Sequence, residues 1–290
     1  VQMEQTLLQV DGLTKQYGNF TLDHVSFSVP GGSIMGFVGE NGAGKTTTLK
    51  LILDELPRDS GTVRVFGQDN REHGSVLRAR IGVVFDDCHF HEMFTPAEVG
   101  AILRGCYKSW DDGLYDSLLR RFGLPKKEKK IKELSRGMKM KLGVAAALAH
   151  RPRLLLLDEA TSGLDPIVRD EVLELLQEFV SDEEHAILFS SHITEDLEKV
   201  ADYVTFLHKG KVVFSEQKDA LLYDWGVIKC GRSDLERIDR EDIAAVKSSA
   251  FETRVLTRNR EAAARKYRNF MVDRTSIEEI MVLYGRGEEQ

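Results

Sequence analysis

Gly39-Glu40-Asn41-Gly42-Ala43-Gly44-Lys45-Thr46 combines three glycines, a lysine and a hydroxyl at the spacing of a phosphate-binding loop. The glycines let the backbone curl so that successive N–H groups face one phosphate, and a helix starting at the loop adds its N-terminal partial charge. Lys45 is then expected to reach the β- and γ-phosphates of a bound nucleotide and the Thr46 hydroxyl to meet Mg²⁺. Asn41, Ala43 and Thr47 complete the nucleotide-binding stretch. Far downstream, Leu154-Leu155-Leu156-Leu157-Asp158-Glu159 ends an apolar run in two acids. At the carboxyl edge of a sheet, Asp158 can hold Mg²⁺ through water. Glu159, one residue on, can polarise a water that attacks the γ-phosphate.

These groups need a sheet that delivers them to one edge. Alternation of apolar and polar residues over 6–29 predicts antiparallel strands around a turn at Tyr17-Gly18-Asn19. Ser33–Val38 reads as a buried strand entering the phosphate loop, Thr46–Leu53 as the helix leaving it, and Thr62–Phe66 and Ile81–Phe85 as further strands. From about Pro96 to Ala149 the period is helical. Arg153–Leu157, Ala186–Ser190 and Val204–Leu207 read as strands, with helices at Pro166–Phe179 and Glu195–Val200 between them. Strands alternating with helices predict a doubly wound α/β domain, with a mostly helical insert between its second and third parallel strands. Beyond residue 220 the possible strands are Trp225–Cys230, Phe251–Leu256 and Phe270–Val272. Helices are expected at Arg240–Ser248, Arg260–Tyr267 and Ser276–Tyr284.

Composition limits the function class. The 290 residues carry 47 acids against 40 Lys plus Arg, a net charge of −7, with 42% apolar residues. That apolar content opposes disorder, and the acidic balance opposes binding of nucleic acid by the chain as a whole. No apolar run is long enough to span a bilayer. The first residues are neither basic nor followed by an apolar stretch, so no secretory signal is expected and Met3 reads as the native start. Cys88, Cys106 and Cys230 are too few and too scattered for a disulfide framework, which suits a reduced compartment.

Five ordered motifs together resemble the nucleotide-binding subunit of an ATP-binding-cassette (ABC) transporter. They are the phosphate loop, Leu134-Ser135-Arg136-Gly137-Met138, Asp158-Glu159, Ser162-Gly163-Leu164-Asp165, and His192 at the end of a strand. The resemblance covers residue 6 to about 220. It implies an α/β fold: a P-loop NTPase core with an N-terminal antiparallel β subdomain, an inserted helical subdomain at about 88–152, and a small C-terminal α/β appendage. The cassette would occupy 1–220 and an accessory or regulatory domain 221–290. By the same resemblance Tyr17 stacks on adenine, and Leu134 to Met138 form the signature that meets ATP bound by the other subunit of a head-to-tail dimer. Asp165 then belongs to the loop crossing that interface. His192 touches the γ-phosphate and orients Glu159 or the water.

Three positions depart from the family pattern. Asp86 stands where the family has Gln, adding a carboxylate beside the nucleotide and Mg²⁺, Arg136 stands where it usually has Gly, and Met138 where it usually has Gln. The Leu-Ser-Arg-Gly-Met signature, Asp86-Asp87 and the closing Ser276–Gly287 segment resemble a subgroup of bacterial ABC-2 exporters that includes phenol-soluble-modulin and antimicrobial-peptide exporters. The resemblance implies a peripheral ATPase on the cytoplasmic face of the bacterial membrane, with ATP and Mg²⁺ as cofactors. It implies two partners, a separate integral membrane permease and a second, identical cassette, and a hydrophobic or amphipathic peptide as cargo. The other classes sharing these motifs are a soluble ribosome- or DNA-associated ATPase, a nutrient importer, and a lipid or drug exporter. Phe90–Val99 is expected to receive a helix of the membrane subunit. Cys88-His89-Phe90-His91 reads as a loop, since it lacks a structural zinc spacing, and Lys126–Lys132 reads as a solvated linker.

Overall fold

The computed structural model describes residues 5–249 and 252–286. In chain order the strands are β1 (Thr6–Tyr17), β2 (Phe20–Pro30), β3 (Ser33–Val38), β4 (Ser60–Val65), β5 (Gln68–Asp69), β6 (Ile81–Val84), β7 (Leu154–Asp158), β8 (Ala186–Ser191), β9 (Tyr203–His208), β10 (Lys211–Gln217), β11 (Gly226–Cys230), β12 (Ala245–Ser248), β13 (Thr253–Thr257) and β14 (Met271–Arg274). The helices are α1 (Lys45–Ile52), α2 (Gly74–Arg78), α3 (Pro96–Cys106), α4 (Asp112–Arg121), α5 (Arg136–Ala149), α6 (Pro166–Phe179), α7 (Thr194–Val200), α8 (Lys218–Tyr223), α9 (Arg260–Lys266) and α10 (Ile277–Arg286).

Three sheets result. β2-β1-β4-β5 is antiparallel. The central sheet runs β10-β9-β3-β8-β7-β6, and the third runs β12-β13-β11-β14. In the central sheet β9, β3, β8, β7 and β6 are parallel, and β10 adds an antiparallel edge. Its inner parallel strands β3, β7 and β8 are buried along their whole length because both faces are covered. Along β7, Leu155 and Leu157 join the core shared with α5 and α6, while Leu154 and Leu156 join the core under the antiparallel sheet and α1. Ile187 and Phe189 against Ala186 and Leu188 of β8 repeat that alternation. The helical insert follows β6, with α3, α4 and α5 packed through Val99, Tyr115, Leu119 and Leu142. Thr95 caps α3 in a reciprocal capping box with Glu98, which fixes where the insert's first helix starts.

The tail differs from expectation at Arg240–Ser248, where a helix was predicted. A short 3-10 turn at Arg240–Asp242 is followed by strand β12. Asp242 is taken by Lys266 Nζ at 2.7 Å and Tyr267 Oη at 2.5 Å, which fixes the turn. Val246 then pairs with Val255 across the sheet, and this pairing overrides the helical preference of the local residues. The strand expected at Phe251–Leu256 is β13, and Phe251 lies outside the described residues, as do Met3 and Gly287. Among the described residues no helix is long and apolar enough to cross a membrane.

Candidate active site

Strand register builds the site. Val38 of β3 lies opposite Ser191 of β8, and Ser190 lies opposite Asp158 of β7. The chain therefore leaves the three neighbouring strands side by side, delivering Gly39, Glu159 and His192 to one carboxyl edge, where open α/β sheets bind ligands. Val84 of β6 pairs with Leu157, so Asp86 follows at the same edge, one strand further out.

The phosphate loop is shaped by what surrounds it. Gly44 has φ +111°, and a Cβ there would lie 2.9 Å from Leu22 Cδ1, so both backbone and space demand glycine. A Cβ on Gly39 would lie 2.4 Å from the Leu207 carbonyl oxygen. Lys45 is 6% exposed and donates to the carbonyls of Gly39 at 2.8 Å and Glu40 at 3.3 Å. Its Nζ also lies 3.4 Å from Glu159 Oε1. A buried ammonium needs such partners, and they aim Lys45 across the mouth of its own loop.

Glu159 sits at φ +54°, a left-handed backbone that glutamate rarely adopts. Its N–H donates to the Ser190 carbonyl at 2.9 Å, which ties the turn to β8. Its Oε2 accepts from the His192 backbone N–H at 3.3 Å and contacts His192 Nδ1. The carboxylate is thus held between Lys45 and His192. Thr46 Oγ1 donates to Asp158 Oδ2 at 2.7 Å, and Asp158, 4% exposed, keeps Oδ1 buried without a hydrogen-bond partner. Hard oxygen donors with a lone pair to spare fit a divalent cation that shares its shell with phosphate and water.

The remaining predicted residues fall into separate groups. Tyr17 ends β1, 39% exposed, with Lys15 Nζ 5.5 Å from its ring centroid. Ser135 caps α5 by accepting from Met138 N–H at 3.2 Å, over a buried Leu134. Asp165 caps α6 by accepting from Val168 N–H at 3.1 Å. These two helix starts lie together. A Cβ on Gly137 would be 3.4 Å from Val168 Cγ1, and one on Gly163 would be 2.8 Å from Arg136 Nη1. Among the described residues no hydrogen bond or ion pair joins Ser135, Gly137 or Asp86 to Lys45, Thr46, Asp158, Glu159 or His192. Asp86 and Asp87 instead line a cavity of about 420 Å³ with Cys88, Arg136, Lys139 and Met140. Two of the departures noted in the sequence, Asp86 and Arg136, therefore line one cavity, with Asp87 and Lys139 beside them. Burial raises the Cys88 thiol pKa. An adjoining cavity of about 230 Å³ is lined by Phe85, Phe90, Leu103, Tyr107 and His150; Met93 and Ile102 are exposed.

Sequence reading missed the Arg169–Asp196 pair. Arg169 Nη2 donates to the Leu164 carbonyl at 3.3 Å, and its Nη1 lies 3.8 Å from Asp196. Asp196 is 1% exposed, and burial pushes its carboxyl above the usual range. The pair joins α7, which follows His192, to the loop ending at Asp165. An acid at the third position of a short helix gives no sequence signal of a partner on another helix.

Residues 22–162 match the family model described as ABC transporter. The chain is 36% identical over 213 residues to the bacitracin transport ATP-binding protein BcrA of Bacillus licheniformis, covering 72% of this chain and 69% of that one. It is 32% identical over 215 residues to the lantibiotic transport ATP-binding protein SrtF of Streptococcus pyogenes, covering 73% and 92%. Among solved structures, an ATP-binding subunit of an ABC transporter superposes with a TM-score of 0.68 at 28% identity, over 74% of this chain and 92% of that one.

Proposed function

The chain belongs to the ABC transporter ATP-binding family, and from that premise we propose that it hydrolyses ATP to power export of a hydrophobic or amphipathic peptide through a separate membrane subunit. Bacitracin and lantibiotics, named for two relatives, are peptides, and this supports the cargo class. The observation that carries the chemistry is the Glu159 carboxylate held between Lys45 and His192 at the carboxyl edge of the sheet.

In this scheme the N–H groups of Gly42 to Thr47 cradle the phosphates, and Lys45 exchanges Glu159 for phosphate oxygens. Freed from Lys45, Glu159 polarises the attacking water while His192 fixes its orientation. Thr46, Asp158 and Asp86 are the residues that would hold Mg²⁺, which neutralises charge on the β- and γ-phosphates when bound. Phosphoryl transfer depends on positioning and charge stabilisation more than on covalent chemistry. Tyr17, exposed beside the loop, is assigned to adenine.

Among the described residues no hydrogen bond or ion pair joins Ser135 or Gly137 to the Lys45–Glu159 cluster of their own chain, which supports their serving a second, identical copy. Hydrolysis is then conditional on closure of a head-to-tail dimer. We assign residues 1–220 to the cassette and 221–290 to an accessory domain. The cavities lined by Asp86 and Phe90 suit a helix of the membrane subunit, which supports a position on the cytoplasmic face of the membrane. The test is to trap the closed state with Glu159→Gln and ATP, then purify the tagged chain from detergent-solubilised membranes. A stoichiometric integral membrane protein is the expected companion; recovery of only ribosomes, nucleic acid or soluble proteins overturns the transport assignment.

A further inference from the structure

A buried ion pair closes a circuit of contacts behind the site. From Glu159 Oε2 the first link is the His192 backbone N–H, at 3.3 Å. His192 runs directly into α7, and Asp196 lies in the first turn of that helix. Asp196 Oδ1 lies 3.8 Å from Arg169 Nη1 on α6, and Arg169 Nη2 donates to the Leu164 carbonyl at 3.3 Å. Two backbone turns lead back to Glu159. The Leu164 N–H donates to the Thr161 carbonyl at 3.3 Å, and the Ser162 N–H donates to the Glu159 carbonyl at 3.0 Å.

Burial divides the loop after Glu159 into two faces. Ala160, Thr161 and Leu164 are buried, while Gly163 and Asp165 are exposed. The inner face rests against the pair, and the outer face carries the residue assigned to the interface with a second copy. Burial raises the Asp196 carboxyl pKa, against the lowering effect of the nearby Thr161 hydroxyl and Arg169 guanidinium. Asp196 Oδ2, Arg169 Nε and Thr161 Oγ1 are all buried without a hydrogen-bond partner. Packing alone does not call for this, since apolar side chains of similar volume would join α6 to α7 at lower cost. What the charges add is direction, because a guanidinium fork fixes the Leu164 carbonyl relative to α7.

We propose that Arg169 and Asp196 are positioning residues that hold the Glu159–Asp165 loop in register with the turn carrying His192, so that the interface loop and the Glu159–His192 contact move as one body. This rests on the ATPase reading above. Without the pair the loop loses its hold on α7, and Glu159 and His192 are free to shift against one another. The N–H groups of Gly42 to Thr47 lie outside the circuit, so the loss falls on kcat more than on ATP binding.

The experiment measures steady-state ATP hydrolysis and equilibrium ATP binding by the full-length wild type, Asp196→Asn and Asp196→Glu. Asp196→Asn keeps the shape and removes the charge; it is expected to lower kcat about fivefold to thirtyfold, with KM and ATP affinity within about twofold. Asp196→Glu keeps the charge, and its extra methylene spans a gap about 1 Å longer than an ordinary charge-assisted hydrogen bond. Its kcat should stay within about twofold of wild type. A folded Asp196→Asn with wild-type kcat, or a folded Asp196→Glu that loses as much as Asp196→Asn, overturns the pairing. If Asp196→Asn does not fold by circular dichroism, Arg169→Gln is measured instead. A lowered kcat at unchanged KM then supports the proposal, and a wild-type kcat or a rise in KM alone overturns it. A wild type that neither binds nor hydrolyses ATP fails the ATPase reading itself. A wild type that does both, beside variants with wild-type kcat, fails the positioning role alone.

Discussion

Lys45 Nζ lies 3.4 Å from Glu159 Oε1, so the cation assigned to the phosphates and the carboxylate assigned to the water hold one another across the site. An arriving γ-phosphate competes with Glu159 for the same ammonium. In the proposed scheme binding and activation are thereby linked, because capture of the lysine by phosphate weakens its hold on the acid.

Glu159→Gln keeps the side chain's shape and removes its charge. Hydrolysis is expected to fall about a hundredfold or more, as for loss of a general base. ATP affinity is expected to hold or rise, since Lys45 no longer has a competing anion. Phosphate release and equilibrium nucleotide binding on the same preparation check both halves.

His192→Ala removes the ring that contacts Glu159 Oε2 but leaves the backbone N–H donor at 3.3 Å in place. The carboxylate keeps part of its support, so the expected loss in kcat is about tenfold to a hundredfold, smaller than for Glu159→Gln. KM for ATP should stay near wild type. A parallel rise in KM would assign His192 to binding instead.

Asp86→Gln tests whether the extra carboxylate acts through the cation. The substitution should make ATP binding less dependent on Mg²⁺, shifting the midpoint of a Mg²⁺ titration. Parallel curves for wild type and variant sink the idea. Arg136 and Lys139 line the same cavity, so Arg136→Gly should enlarge the shift by removing charge that offsets Asp86.

His150 is 2% exposed, stacks on Tyr107 with ring centroids 4.1 Å apart, and bonds the Ile81 carbonyl through Nε2 at 3.1 Å. Burial lowers its pKa below 6.5. The unfolded chain takes up this proton more readily than the folded one. Its contribution to stability is therefore complete above about pH 6.5 and is lost as pH falls toward the lowered folded value. Melting temperatures between about pH 7.5 and 5.5 should drop more for wild type than for His150→Gln.

Leu156 lies at 0% exposure between sheet and antiparallel subdomain. Leu156→Ala should cost about 2–5 kcal/mol of folding free energy, read as a shift of the denaturation midpoint.

Much of this was legible in the sequence because the central strands carry two independent signals. Leu154 to Leu157 are apolar enough to be buried on both faces, and the acids that follow mark the carboxyl edge. Ser33–Val38 and Pro166–Phe179 run over the residues expected of them. The core folds as the α/β arrangement those runs imply, in common with the ABC subunit it superposes on. The tail was less legible. Ile243 to Val246 mix helix- and strand-favouring residues, and only pairing with β13 decides between them. β10 was also missed, because a hairpin edge strand takes its direction from its neighbour β9. In the site, the Gly285–Glu40 and Arg136–Gly163 approaches involve residues far apart in sequence, with no periodic pattern to announce them.

The left-handed backbone at Glu159 has a consequence for the protein's history as well as its chemistry. Glycine or asparagine would occupy φ +54° with less strain. A chain relieved of its glutamate there should be the sturdier molecule and the idle one. On the role proposed for Glu159, drift toward greater robustness and drift toward loss of turnover point the same way at this position.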